Sequence, residues 1–174
     1  MAAIQARGER LWPIDCGSIS SGVTVPLDPA LATAVEGLLR RIGWQGIFQV
    51  DVFERDGTYT IIDLNPRVYT SLGHATHAGL NLPGIWVDLL RGVAPSVPTG
   101  YRVGARYRHD EGDLRALAHM LRHGPRAAAL RGLVPRRDTT LAIFSARDPG
   151  PSLTSLGRVA RYLRRSRRSA SSRS

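Results

Sequence analysis

The chain has no lysine: all 24 of its basic residues are arginine. Together with abundant alanine, glycine and proline, this points to the codon bias of a GC-rich genome. It also leaves the small-residue stretch DCGSISSG, residues 15–22, without the Gly-x-x-x-x-Gly-Lys pattern of a P-loop, so a flexible loop is expected there. A single cysteine, Cys16, excludes an internal disulfide and fits a reducing compartment. No base pairs with it in the sequence as a nucleophile would require. No run approaches the roughly 18 apolar residues of a membrane span, and the opening MAAIQARGERLWP lacks the apolar core of a signal peptide. The expectation is a cytoplasmic protein with no membrane partner.

What is present is enough for a core: 174 residues, 43% of them hydrophobic. The net charge of +10 would suit a basic nucleic-acid-binding protein, but its distribution argues otherwise. Residues 158–174, RVARYLRRSRRSASSRS, hold seven arginines and no acid, and removing them from the total leaves +3 for residues 1–157. With Tyr162 as the one aromatic in that segment, no stacking platform for bases is evident. The segment reads as a disordered, solvated tail, and the sequence weighs against nucleic acid as a partner.

The clearest local structure lies in VTVPLDPALATAVEGLLRRIGW. Asp28 is placed as N-cap, Pro29 at the first helical position and Gly43 just past the end. Leu31, Ala34, Val35, Leu38, Leu39 and Ile42 recur at helical spacing between them. The following GIFQVDVFERDGTYTIIDLN reads as strands over 46–54 and 58–65 joined at RDGT, a hairpin. Beyond Pro66 the pattern predicts a short helix ending near Gly79 and a helix in NLPGIWVDLLRG. A linker over 93–100, a strand in YRVGARYR, and a helix capped by Asp113 and Gly124 follow. His74 with His77, and His119 with His123, have ligand-like spacing but no third partner, and read as surface or cleft histidines.

The run IIDLNPRVYT, residues 61–70, carries the chemistry. Asp63 and Asn65 share one side of a strand and are hard oxygen donors suited to magnesium, and Arg67 is a candidate for an anion. Whether Asp51 on the facing strand joins them depends on register. A two-residue Asp56-Gly57 loop pairs Asp51 with Ile62 and sends the acids to opposite faces. An odd loop, with Gly57 left-handed in a bulge, pairs Asp51 with Asp63 and Gln49 with Asn65. A metal site needs the second arrangement. On spacing alone the run reads equally as a strand end and a turn.

The order GWQGIFQVDVFERDG…YTIIDLNPRVYTSLGHATHAGLNLPGIWVDLLRG resembles the C-terminal half of an ATP-grasp domain, most closely over 43–92 and in outline over 1–92. The RDPGPS run near 147–152 is similar to the end of some bacterial ligases of this type. The resemblance implies an α+β fold, an ATP-grasp C-terminal lobe with an antiparallel sheet packed by helices over 1–92. A C-terminal extension with one strand and one helix over 93–157 and the tail at 158–174 follow. It also implies an ATP-dependent carboxylate-amine ligase acting through an acylphosphate, with ATP, magnesium, a small carboxylate and an amine as its ligands. Asp51, Asp63 and Asn65 would hold metal and nucleotide, Arg67 would contact phosphate or the acylphosphate oxygen, and Arg10 would be a second anion contact. The family grips ATP between two halves, so an N-terminal half or a second chain is expected to complete the site. A catalytically inactive, truncated fragment serving as a binding module is the alternative.

Overall fold

The computed structural model of the chain describes residues 1–134, 136–145 and 148–171, with side chains as far as residue 162. In chain order the elements are β1 (Gln5–Trp12), β2 (Ser18–Val25), α1 (Pro29–Arg41), β3 (Gln49–Arg55), β4 (Thr58–Asn65), α2 (Leu72–His77), α3 (Leu82–Leu90), β5 (Arg106–Arg108), α4 (Asp110–His123), α5 (Arg126–Leu133), β6 (Thr139–Leu141) and α6 (Gly150–Ser171). The class is α+β. β3 and β4 form a two-stranded antiparallel sheet, and a four-stranded sheet runs β1-β2-β5-β6. In that sheet β2 pairs antiparallel with β5, and β5 pairs parallel with β6.

Two compact units result, each discontinuous in sequence. The first is residues 1–6 with 24–105, the second 7–23 with 106–174. The boundary read from the sequence at 92/93 therefore falls inside the first unit. The stretch 15–22, expected as a flexible loop, instead enters β2 at Ser18, and its Ser20 and Ser21 are buried. The expected strand in YRVGARYR shortens to Arg106–Arg108.

In the first unit the N-cap signal for α1 is met, and of the apolar stripe Leu31, Val35 and Leu39 are buried while Ala34 and Ile42 are exposed. Asp28 Oδ1 accepts from the amides of Ala30 and Leu31 at 2.8 and 3.0 Å, satisfying donors that the first helical turn leaves without partners. Leu31, Val35 and Leu39, four residues apart along one stripe, are buried against Phe48, Val50, Val52, Tyr59 and Leu64 of the hairpin segment. One face of β3–β4 is thus the core of this unit. His74, read from sequence as a surface or cleft residue, is buried, and its Nε2 donates to the carbonyl of Ala105 at 2.9 Å. A buried imidazole needs such a partner.

In the second unit α4 begins one turn earlier than its sequence suggested. The N-cap is His109, whose Nδ1 accepts from the Gly112 amide at 3.1 Å. Asp113, expected as the cap, lies inside the helix with Gly112, Ala116 and Leu117 on its buried side. There Asp113 binds two guanidinium groups: Arg10 Nε donates to Oδ1 at 2.6 Å and Arg108 Nε to Oδ2 at 2.7 Å. Trp12 at the end of β1 meets His119 of α4 and Tyr162 of α6 edge-on, at centroid distances of 6.0 and 5.4 Å. α6 continues to Ser171, so the backbone over 158–171 is helical where composition alone predicts a disordered tail. Residues 172–174 of that tail, and Arg147 of the RDPGPS run, lie outside the described residues. Among the described residues no helix is long and apolar enough to cross a membrane.

Two carboxylates of this unit sit below their ordinary range. Burial pushes Glu9 upward, but the hydrogen bonds from Arg106 Nη1, 2.8 Å to each oxygen, and the arginine's charge outweigh it. Glu111 is likewise raised by burial and lowered further by Arg158, Arg115 and Ser155. Tyr107 is pushed up to about 12 by burial and by the charge of Asp110.

Two expectations follow for stability. Leu39→Ala removes the last rung of the α1 stripe and should cost about 2–5 kcal/mol in urea denaturation. A loss under 0.5 kcal/mol would mean that the stripe is not the core of its unit. Because Glu9 and Glu111 have lower pKa values folded than unfolded, their contribution is full above the unfolded value and fades as pH falls through the folded one. The double variant Glu9→Gln/Glu111→Gln should therefore lose less stability than the wild type as pH falls from the ordinary glutamate value through the lowered folded values. Parallel pH profiles would contradict the assignment.

Candidate functional site

The loop of the β3–β4 hairpin is the two-residue Asp56-Gly57, with both residues at positive φ, 53° and 74°. That is the turn whose twist matches its flanking strands. The pairing from Arg55↔Thr58 to Val52↔Ile61 is regular. Then the register shifts by one, and Asp51 pairs with Asp63, Val50 with Leu64 and Gln49 with Asn65. The extra residue is Ile62.

The pairing that a metal site needs is therefore present, but by a different device from the one expected. The loop is even, and the bulge lies five residues beyond Gly57, at Ile62. Its effect is two-sided: Leu64 and Val50 stay on the face against α1, while Asp51, Asp63, Gln49 and Asn65 share the opposite face.

On that face the side chains make a short polar chain. Gln49 Nε2 donates to Asp51 Oδ1 at 3.0 Å, and Asn65 Nδ2 donates to Asp63 Oδ2 at 2.6 Å. Arg67 Nη2 donates to Asn65 Oδ1 at 2.8 Å. The turn after the strand is closed by the Arg67 amide on the Asn65 carbonyl, 2.9 Å, which turns the arginine back beside the amide side chain. Asp51 is half-buried, whereas Asp63 and Arg67 are exposed. Of the residues singled out in the sequence, Asp51, Asp63, Asn65 and Arg67 come together here. Arg10 belongs to the second unit, where it is bound to Asp113.

The family model described as "ATP-grasp in the biosynthetic pathway with Ter operon" matches residues 15–112. The chain belongs to the ATP-grasp family. No curated protein and no solved structure matches it. The matched segment of this ATP-grasp domain contains β2, α1, the whole hairpin, α2, α3 and β5. It holds Asp51, Asp63, Asn65 and Arg67, while Arg10 and Asp113 lie just outside its two ends.

Does the ATP-grasp hairpin suit magnesium? Two carboxylates directly opposite each other in a ladder repel, a cost that a cation between them reverses. Magnesium commonly takes one or two protein carboxylates and fills its remaining positions with phosphate oxygens and water. Asp51 and Asp63 supply hard oxygens, each with one oxygen free of hydrogen bonds among the described residues. Among the described residues, the hairpin included, no group of three or more His, Cys, Asp and Glu side chains forms that could hold a metal. The donor set fits a cation shared with a phosphate ligand. It does not fit a closed, all-protein cage.

Sequence reasoning missed Gln49 as a partner of Asp51, although the register it weighed placed Gln49 opposite Asn65. It also missed Asp113 and Arg108. Nothing local marks an acid in the first turn of a helix as the anchor of an arginine some hundred residues away. The Arg-x-Arg alternation of β5 was the one available signal.

The hairpin is closed by a left-handed turn at Asp56-Gly57. Gly57→Ala, at φ 74°, should cost roughly 1–2 kcal/mol. Gly37→Ala, on the exposed side of α1 with open space where its Cβ would go, should stabilise by about 1 kcal/mol. Equilibrium unfolding of the two variants should therefore move in opposite directions, and a shared direction would contradict the left-handed turn.

Proposed function

We propose that this ATP-grasp chain provides the magnesium- and phosphate-binding face of an ATP-dependent carboxylate-amine ligase. The observation that carries the reading is the Asp51↔Asp63 pairing, a like-charge contact with no protein cation between its partners in the hydrogen-bond chain described. In such a ligase the substrate carboxylate takes the terminal phosphoryl group of ATP with ADP leaving. The amine then attacks the acyl carbon, phosphate departs, and the amine gives up a proton. Magnesium, when bound, supplies charge neutralisation at the phosphate oxygens.

The chain's own residues divide the remaining work. Asp51 and Asp63 hold the cation side. Gln49 and Asn65, each donating to a carboxylate oxygen, fix the rotamers of the two acids, so less ordering is needed when a ligand arrives. Arg67 has a fork suited to a planar or tetrahedral oxyanion. Its present bond to Asn65 Oδ1 gives it a rest position beside the metal ligands. When Arg67 turns to an anion, the amide oxygen of Asn65 is released for the cation, which couples the two binding events. The rest of the grip on ATP would come from an N-terminal half or from a second chain.

Asp63→Asn separates the repulsive role of the pair from its metal-binding role. Without divalent ions the variant should be more stable than the wild type by about 0.2–1 kcal/mol, because the like-charge contact is gone. With magnesium and ATP the wild type should gain melting temperature and the variant should not. Equal gains in both proteins would refute the metal assignment. No gain in the wild type, with the metal-free difference intact, would indicate a lobe that has the paired acids without nucleotide binding.

A further inference from the structure

Among its described residues the second unit brings two arginines onto one buried carboxylate. Asp113 has no exposed side-chain surface, and the side chains of Arg10 and Arg108 are each 20% exposed. Two largely buried guanidinium groups therefore share one carboxylate. Arg10 uses only its Nε on Asp113, which leaves both of its Nη groups, and Arg108 uses Nε and Nη2, which leaves Nη1.

The neighbouring acids have partners, though the Oδ1 of Asp110 is buried without one among the described residues. Glu9 is held by Arg106 and also lies within the charge influence of Arg136 and Arg10. Asp110 accepts through Oδ2 from the amides of Ile143 and Phe144, and Glu111 is taken by Arg115 and Arg158. Around Glu9 and Asp113, four arginines face two carboxylates. A buried charge without a partner is costly, and forked guanidinium groups held from behind by a fixed acid match the oxygens of a small anion in direction as well as charge.

We infer that Arg10 and Arg108, oriented by Asp113, form a binding site in the second unit for a small oxyanion, a carboxylate or a phosphate. Asp113 acts as a positioning residue: it locks one edge of each guanidinium and so turns the remaining N–H groups to the ligand. The site is independent of the hairpin, since it shares no residue with it and needs neither magnesium nor ATP.

The test is calorimetric titration of the full chain with inorganic phosphate and, separately, with succinate, at constant ionic strength balanced with chloride. Saturable binding of phosphate alone, of succinate alone or of both supports the site and tells which anion it prefers. Arg10→Gln and Arg108→Gln should each weaken that binding about tenfold or more, as expected for losing hydrogen bonds to a charged group. Arg40→Gln, at an exposed pair with Glu36 in the first unit, should leave it unchanged. Should either site variant fail to fold, the guanidinium Nε–H resonances of Arg10 and Arg108 in the wild type provide the reading, and both should shift on titration. No saturable binding of either anion overturns the inference. So does binding that leaves those two resonances unmoved, or that survives both substitutions.

Discussion

One extra residue in one strand decides which side chains share a face of the hairpin in the first unit. With a two-residue turn and no bulge, Asp51 would face Ile62, and the acids at 51 and 63 would point to opposite sides of the hairpin. Ile62 absorbs a single step of register. The apolar residues beyond it still meet α1, and the polar residues gather on the other face. A bulge leaves one residue unpaired in the ladder and bends the strand. Here that local cost accompanies a like-charge pairing that sheets otherwise avoid. Both features go against plain sheet stability and are understandable together if the face is built for a cation.

The second unit deals with charge differently. Three of its acids are matched with arginine forks, and the pairings connect residues far apart in the chain: Glu9 with Arg106, Arg10 with Asp113, Glu111 with Arg158. Such pairs contribute less to net stability than their number suggests, because each charge gives up water to form them. What they fix is geometry. With arginine as the sole cation, the fork geometry is imposed throughout, and Asp113 holds two guanidinium groups in set directions with an edge of each left over. The hairpin and the arginine pair are thus contrasting solutions, acids brought together in one case and bases in the other.

Much of the first unit was legible in the chain. The α1 cap, the hairpin, the α3 helix and the run of Asp63, Asn65 and Arg67 all rest on interactions within a few residues, which local pattern encodes. The register was legible only as a choice between two outcomes, since a bulge at Ile62 and one at Gly57 give the same pairing of Asp51. β2 was missed because a run of serine and glycine does not alternate. Asp113 was misplaced because an acid near a helix start is an ordinary cap. Its burial depends on partners at positions 10 and 108.

The sequence by itself determined the α1–hairpin pairing and the candidate oxygen donors, because these follow from periodicity, capping and residue chemistry along a short stretch, while the α+β class followed from the family resemblance. Only the tertiary structure decided that Asp51 and Asp63 stand opposite each other, since register depends on where one unpaired residue is accommodated. It alone decided that Arg10 and Arg108 converge on a buried carboxylate, because the energy of a buried charge depends on what surrounds it and not on its neighbours in the chain.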